Sequence, residues 1–192
     1  MNTNSIVARK NKSTFDHYET PVLAADKAIK AMLADGIIAT DEVIYEPCCG
    51  SGNIIKALKD NGVVNVDGSD IQDADFIAGK KEVDLWDLND GICDSIVTNP
   101  PYNKELTSGE MLLKLQKIAK STVCILVNVF YLSSKRRKEL LESAHLRHIY
   151  VYSDRITFFE YGKDKPKNGG MKMFVWLCFD KNYTGKPTLS WI

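Results

Sequence analysis

Asn99-Pro100-Pro101-Tyr102 places an amide, two rigid rings and a phenol in succession, directly after the apolar run Ile96-Val97-Thr98. Proline fixes φ and lacks an N–H, so a double-proline corner has a pre-set shape and carbonyls that need donors. An Asn oxygen, a main-chain carbonyl and an aromatic face together suit a planar amine, which brings two N–H donors and a flat ring. The same residues also suit a strand-ending turn, where Asn and Pro are common. The choice depends on what else reaches the same place.

A second group of candidates lies upstream in Glu46-Pro47-Cys48-Cys49-Gly50-Ser51-Gly52-Asn53. Gly50-x-Gly52, after a strand and before a helix, lets the backbone pass close to a ligand at a helix N-terminus. A tight packing turn would use the same two glycines. Ile55 stands where the dinucleotide pattern G-x-G-x-x-G has its third glycine, which disfavours a pyrophosphate cofactor and leaves one with a single nucleoside. Asp70 follows Gly52 by 18 residues, about where an acid reaches ribose hydroxyls in nucleotide-binding sheets, and it also suits the start of a turn. Asp84 on the next predicted strand could accept from an adenine amine, with Asp87 the alternative.

These groups meet only if their strands end at one edge. The pattern predicts strands over 42–46, 63–70 and, more weakly, 82–85, then a fourth entering the Asn-Pro-Pro corner. A nearly continuous apolar run, 122–130, reads as a central strand buried on both faces, and strands at 148–152 and 173–179 follow. Helices are expected after Thr20 as N-cap with Pro21 at the first helical position, over 53–60, from the capping box Thr107-Ser108-Gly109-Glu110, and over 133–144. Strands alternating with helices predict an α/β sheet with helices on both faces. Ligands in such sheets bind beyond the carboxyl ends of the strands. Residues 1–13 read as a flexible arm, and 14–192 as one domain.

Composition narrows the class. Of 192 residues 44% are hydrophobic and 26% charged, as in ordinary globular proteins. Twenty-five basic residues balance twenty-five acidic ones, so no global field advertises a polyanion, and any nucleic-acid contact must be local. No apolar run approaches the ~18 residues of a membrane helix, so no membrane partner is expected. Five cysteines without a C-x-x-C argue against a disulfide framework or a metal site, and a reduced, cytoplasmic protein is expected.

In their order along the chain, Tyr18-Glu19-Thr20-Pro21, the segment 46–53, Asp67-Gly68-Ser69-Asp70 and Asn99-Pro100-Pro101-Tyr102 resemble the S-adenosylmethionine-dependent N6-adenine DNA methyltransferases. The likeness is to small phage and prophage types, over roughly residues 15–130. It implies a Rossmann-like methyltransferase fold, with a mostly parallel sheet and an antiparallel last strand, S-adenosyl-L-methionine as cofactor and DNA as partner, with RNA adenine or a protein glutamine as alternative targets. A module that binds the cofactor without transfer is the rival of a different class. By this likeness Tyr18, Thr20 and Pro21 close over the methionine end of the cofactor, and Glu46, Pro47, Gly50 and Gly52 surround it. Asp70, with Ile71 beside it, takes the ribose and Asp84 the adenine. Asn99 and the Pro100 carbonyl accept the two amine protons, while Pro101 stiffens the corner and Tyr102 stacks on the base. No separate target-recognition domain has room. The expected substrate loop is Ser153 to Gly170, with Arg155, Lys163, Lys165 and Lys167 on phosphates and Phe159 on the flipped base. Lys135-Arg136-Arg137-Lys138 reads as a solvated helix face.

Overall fold

A computed structural model describes residues 18–75, 77–154, 156, 159–160 and 173–192; for Tyr18, Phe159 and Glu160 the backbone alone is described. The chain runs β1 (Tyr18–Glu19), α1 (Val22–Ala34), β2 (Val43–Glu46), α2 (Asn53–Asp60), β3 (Asn65–Gly68) and β4 (Cys93–Thr98). It continues through α3 (Lys104–Ser108), α4 (Glu110–Ile118), β5 (Ala119–Asn128), α5 (Lys135–Ser143) and β6 (Leu146–Val151). The last described elements are β7 (Phe159–Glu160), β8 (Phe174–Asp180) and β9 (Thr188–Trp191).

Seven strands form one sheet in the order β3-β2-β4-β5-β8-β6-β9. All run parallel except β8, which lies antiparallel between β5 and β6. The apolar run of β5 serves two cores at once. Val123, Ile125 and Val127 face the helices α3 and α4, while Cys124 and Leu126 face α1 and α2. Burial on both faces is why this strand shows no polar alternation. From β2 the chain steps outward to β3 and then returns to the far side of β2 as β4. That reversal opens a crevice at the carboxyl ends of β2 and β4.

Several local expectations change. Thr20 is not the N-cap of α1: Pro21 is, its carbonyl accepting from the Ala24 and Ala25 N–H groups at 2.9 and 3.0 Å. The Thr20 hydroxyl is committed elsewhere. No strand forms at 82–85. Glu82 takes φ +58°, which breaks extension, and the Asp84 side chain accepts from the Trp86 N–H at 3.0 Å, closing a 3-10 turn over Leu85–Asp87. The outer side of the Gly68–Asp70 segment is covered instead by residues around Lys80, whose N–H donates to the Gly68 carbonyl at 2.9 Å. Strand β3 is also shorter than 63–70, so Asp70 lies just past its end.

The predicted capping box at Thr107 is absent as well. Thr107 Oγ1 donates back to the Lys104 carbonyl inside α3, and Gly109 at φ +90° joins α3 to α4. The antiparallel strand β8 is followed by β9, parallel to β6, so it is not the last. Segment 1–13 lies outside the described residues. No described helix is long and apolar enough to cross a membrane.

Candidate active site at the carboxyl edge

On one side of the crevice, β2 ends in Glu46 and enters the buried turn at Pro47. The two loop glycines have different reasons to be glycine. Gly52 takes φ +81°, and a Cβ there would collide with the Cβ of Ala78, so its role is packing. Gly50 takes φ +46° with nothing within 4 Å of where its Cβ would be, which leaves open space for a ligand to approach.

Three carboxyl groups converge on this loop. Asp70 Oδ2 accepts from the Gly50 N–H and Oδ1 from the Gln72 N–H, both at 3.0 Å, so the acid holds the loop's shape. Ile71 follows it, half-buried. Asp84 is buried, whereas its alternative Asp87 is exposed. Burial pushes the Cys48 thiol well up, and the charges of Asp70, Glu46 and Asp84 push it the same way, which places it among all three acids. Burial likewise drives the Cys49 thiol up to about 12, so neither cysteine is an activated nucleophile. Glu46 is 2% exposed, and its Oε2 is buried with no hydrogen-bond partner. Burial raises its carboxyl well above the ordinary range; the Ile55 N–H opposes this and the Asp70 charge adds to it.

Across the crevice, β4 delivers Asn99 to the double-proline corner. Asn99 Nδ2 donates to Thr20 Oγ1 at 3.2 Å, and the Tyr102 hydroxyl lies 3.2 Å from Asn99 Oδ1 and 3.1 Å from the Leu126 carbonyl. Burial pushes the Tyr102 phenol far above its usual value, so it stays a protonated donor. Its ring packs at a tilt against Phe174, with centroids 6.0 Å apart. The Pro101 carbonyl accepts from the Asn103 N–H at 2.9 Å, and the Asn103 side chain caps α3 through the Leu106 N–H at 3.0 Å. The corner is therefore set by the helix it starts.

The two sides are joined by Thr20. Its hydroxyl meets Asn99, and its carbonyl accepts from Asn53 Nδ2 at 3.0 Å, where Asn53 opens the helix after the glycine loop. The joining role of Asn53 has a faint sequence signal: an amide at the first helical position cannot cap its own helix and can reach across. Of the expected substrate residues, Arg155, Lys163, Lys165 and Lys167 lie outside the described residues. The Phe159 backbone pairs with Glu19 in the small β1–β7 sheet, which brings residues 159–160 to the segment just before Thr20. Among the described residues no group of His, Cys, Asp and Glu could hold a metal ion.

No protein-family model matches the chain, and no curated protein sequence matches it. Solved structures do. A type I restriction-modification system methyltransferase subunit from Streptococcus thermophilus aligns with TM-score 0.66 at 12% identity, over 98% of this chain and 50% of that one. A Listeria monocytogenes protein assigned as a class I S-adenosylmethionine-dependent methyltransferase gives 0.65 at 13% identity, over 98% and 70%. A Pyrococcus horikoshii protein assigned as an RNA methyltransferase gives 0.63 at 17% identity, over 91% and 95%. The chain thus spans half the length of the first of these. The shared feature is the fold, a Rossmann-like class I methyltransferase sheet with one antiparallel strand.

Proposed function

We propose that this protein transfers a methyl group from S-adenosyl-L-methionine to the N6 amine of adenine in DNA. The observation that carries this reading is the pairing of two unlike half-sites across one crevice: an unpartnered buried Glu46 oxygen beside the open Gly50, facing an amide held between Thr20 and Tyr102. The fit to the cofactor rests on that oxygen, which lacks a donor that an ammonium group would supply. Gly50 would give the cofactor room, Asp70 would hold ribose hydroxyls and Asp84 the adenine amine. Thr20 and Pro21 would close the methionine end. When bound, the cofactor supplies a methyl already made electrophilic by a sulfonium, so the target nitrogen needs no prior deprotonation.

The chain's own task is to orient that nitrogen. An adenine amine is a poor nucleophile because its lone pair is delocalised into the ring. Acceptance of its two N–H protons by Asn99 Oδ1 and the Pro100 carbonyl favours a tetrahedral nitrogen whose lone pair faces the crevice. An amide oxygen accepts two hydrogen bonds, so Oδ1 can hold the Tyr102 hydroxyl and a target N–H together. Preorganised dipoles and positioning then carry the catalysis. A duplex adenine must first leave the stack, and Tyr102 offers a ring beside the corner. The restriction-modification neighbour supports DNA as the polymer, and the neighbour assigned to RNA makes RNA the second reading.

The test is incubation with labelled cofactor and DNA, RNA or protein, followed by nucleoside digestion and mass analysis. N6-methyladenine from the DNA fraction is the expected product. Asn99→Ala should lower transfer by about 100-fold or more while cofactor binding persists. Asp70→Ala should weaken cofactor binding first. Label confined to RNA or protein overturns the DNA assignment, and bound cofactor with no label anywhere overturns transfer itself.

A further inference from the structure

The edge that carries the corner also carries a block of structure that the proposed chemistry leaves unused. Strand β5 ends at Asn128, whose side chain accepts from the Phe130 N–H at 3.0 Å and caps the 3-10 turn Val129–Leu132. That turn presents Phe130 with 76% of its surface exposed. The turn is firmly held. The Phe130 carbonyl accepts from Arg137 Nη1 at 3.2 Å and from the Ser133 N–H at 3.1 Å, and the Arg137 guanidinium lies 4.5 Å from the centre of the Tyr131 ring. Val129 donates to the carbonyl of Met173, itself 59% exposed, so two exposed apolar residues share this turn.

The block is continuous with the Asn-Pro-Pro-Tyr corner. The Tyr131 hydroxyl donates to the Leu106 carbonyl of α3 at 3.1 Å, and Arg136 Nη2 reaches the Ser108 carbonyl at 3.4 Å. Helix α3 in turn begins at the Asn103 cap, one residue after Tyr102. Corner, α3, turn and the start of α5 are therefore one connected unit.

Its charges are placed against local preference. Lys135, Arg136, Arg137 and Lys138 fill the first turn of α5, and no acid accompanies them there. A helix N-terminus carries partial positive charge, so cations at this end oppose helix stability. A run placed for solvation alone would do better at the other end. Lys138 lies 3.7 Å from Glu142, which meets its charge. The remaining acids of these helices are Glu105, Glu110 and Glu139, and the exposed Lys104 opens α3. Lys104, Lys135 and Arg136 thus add cations to the same connected unit that carries an exposed aromatic ring, a combination that suits a strand with phosphates and flat bases.

Building on the reading of the target as an adenine in DNA, we infer that this block is the surface that holds the nucleic-acid strand beside the extruded base. Lys104, Lys135 and Arg136 neutralise backbone phosphates, and Phe130 stacks on a neighbouring base. Phosphate contacts fix position without reading sequence. The attraction is local, as the balanced overall charge of the chain requires.

The test measures binding of a fluorescently labelled mixed-sequence DNA duplex to the full chain by anisotropy, at several salt concentrations. A Lys135→Ala/Arg136→Ala variant should lower the salt slope by about 2, close to one unit for each phosphate contact removed. Phe130→Ala should weaken binding about tenfold with the slope unchanged. Cofactor affinity should match the wild type in both, since neither variant touches the crevice, and melting temperature should stay within about 3 °C, because the lost Arg136 bond to the Ser108 carbonyl is exposed and the helix also loses two cations from its N-terminus. Unchanged DNA affinity and slope in both variants overturn the inference and assign the surface to a protein partner. Wild-type DNA binding with these signatures but no methylation leaves the surface standing and removes the substrate reading. DNA methylation with unaltered binding by both variants does the reverse.

Discussion

At and beyond the ends of β2 and β3 three buried carboxyls gather; at the end of β4 the polar side chains are neutral dipoles. Glu46, Asp70 and Asp84 are 2%, 7% and 3% exposed, an expensive concentration of acid in one place. Backbone N–H groups meet Asp70 and Asp84, and the buried Glu46 Oε2 has none. Opposite them, Asn99 is hydrogen-bonded to both Thr20 and Tyr102, and the phenol is held in its protonated form by burial. Under the proposed function, the first half would take a ligand that brings positive charge and hydroxyl donors, and the second a neutral amine. Two such halves across a switch point can hold an electrophile and a nucleophile without either side competing for the other's ligand.

The sharpest way to break this contrast is through the two glycines, because one is packed against Ala78 and the other faces open space. Gly52→Ala combines a backbone conformation that side chains rarely adopt with a collision against Ala78. We expect it to cost about 3 kcal/mol, read as a fall in melting temperature of about 10 °C. Gly50→Ala meets no atom and should cost about 1 kcal/mol of stability, its main effect being weaker cofactor binding. A Gly50→Ala protein that melts lower than Gly52→Ala would reverse the assignment of the two roles.

Much of this arrangement is legible in the residues themselves. The apolar run of β5 announces a central strand, and the order of glycine loop, acid and corner announces a shared edge. What escaped was decided by groups far apart in sequence. Thr20 looks like a cap because Pro21 follows it, yet its hydroxyl is taken by Asn99, 79 positions away. Asp84 looks like a strand end, yet a positive φ at Glu82 and the acid's own bond to the Trp86 N–H make a turn. The basic run at 135–138 is exposed at Lys135, Arg136 and Lys138, as a solvated face would be, while the contacts from Tyr131 and Arg136 that join it to α3 leave no local trace in the sequence. Local propensity yields to tertiary partners at each of these places.

A smaller effect separates the halves by charge. Glu46→Gln keeps the shape of the side chain and removes its ionisation. Its folded carboxyl is raised above the ordinary value, so in that window the folded protein binds more protons than the unfolded chain, and stability falls as pH rises. The Gln variant should therefore be more stable than wild type near about pH 8. Cofactor binding should show the opposite dependence. A cationic group beside Glu46 favours its ionised form, so binding releases a proton and weakens as pH falls, by at most about tenfold per pH unit. Glu46→Gln should bind about tenfold more weakly at neutral pH, with that dependence removed. A pH-dependent affinity that survives in the variant would move the cationic group away from Glu46.

The smallest expected change is the most discriminating. Tyr102→Phe removes one hydroxyl that touches Asn99 and the Leu126 carbonyl, and leaves the ring against Phe174. A hydrogen bond of this kind is worth about 0.5–1.5 kcal/mol, so the transfer rate should fall about three- to tenfold. If the two halves act separately, cofactor affinity will not change, because no Tyr102 bond reaches the glycine loop. Thr20→Val provides the contrast, since Thr20 meets Asn99 through its hydroxyl and Asn53 through its carbonyl. Removal of the hydroxyl alone keeps the bond to Asn53 and frees the Asn99 amide to turn. It should therefore lower transfer as Tyr102→Phe does and spare cofactor affinity, because the Thr20 backbone that would close the methionine end stays held by Asn53. Loss of cofactor affinity in both variants would show that the corner and the loop are one coupled site, with Thr20 carrying strain between them and not simply holding each in place.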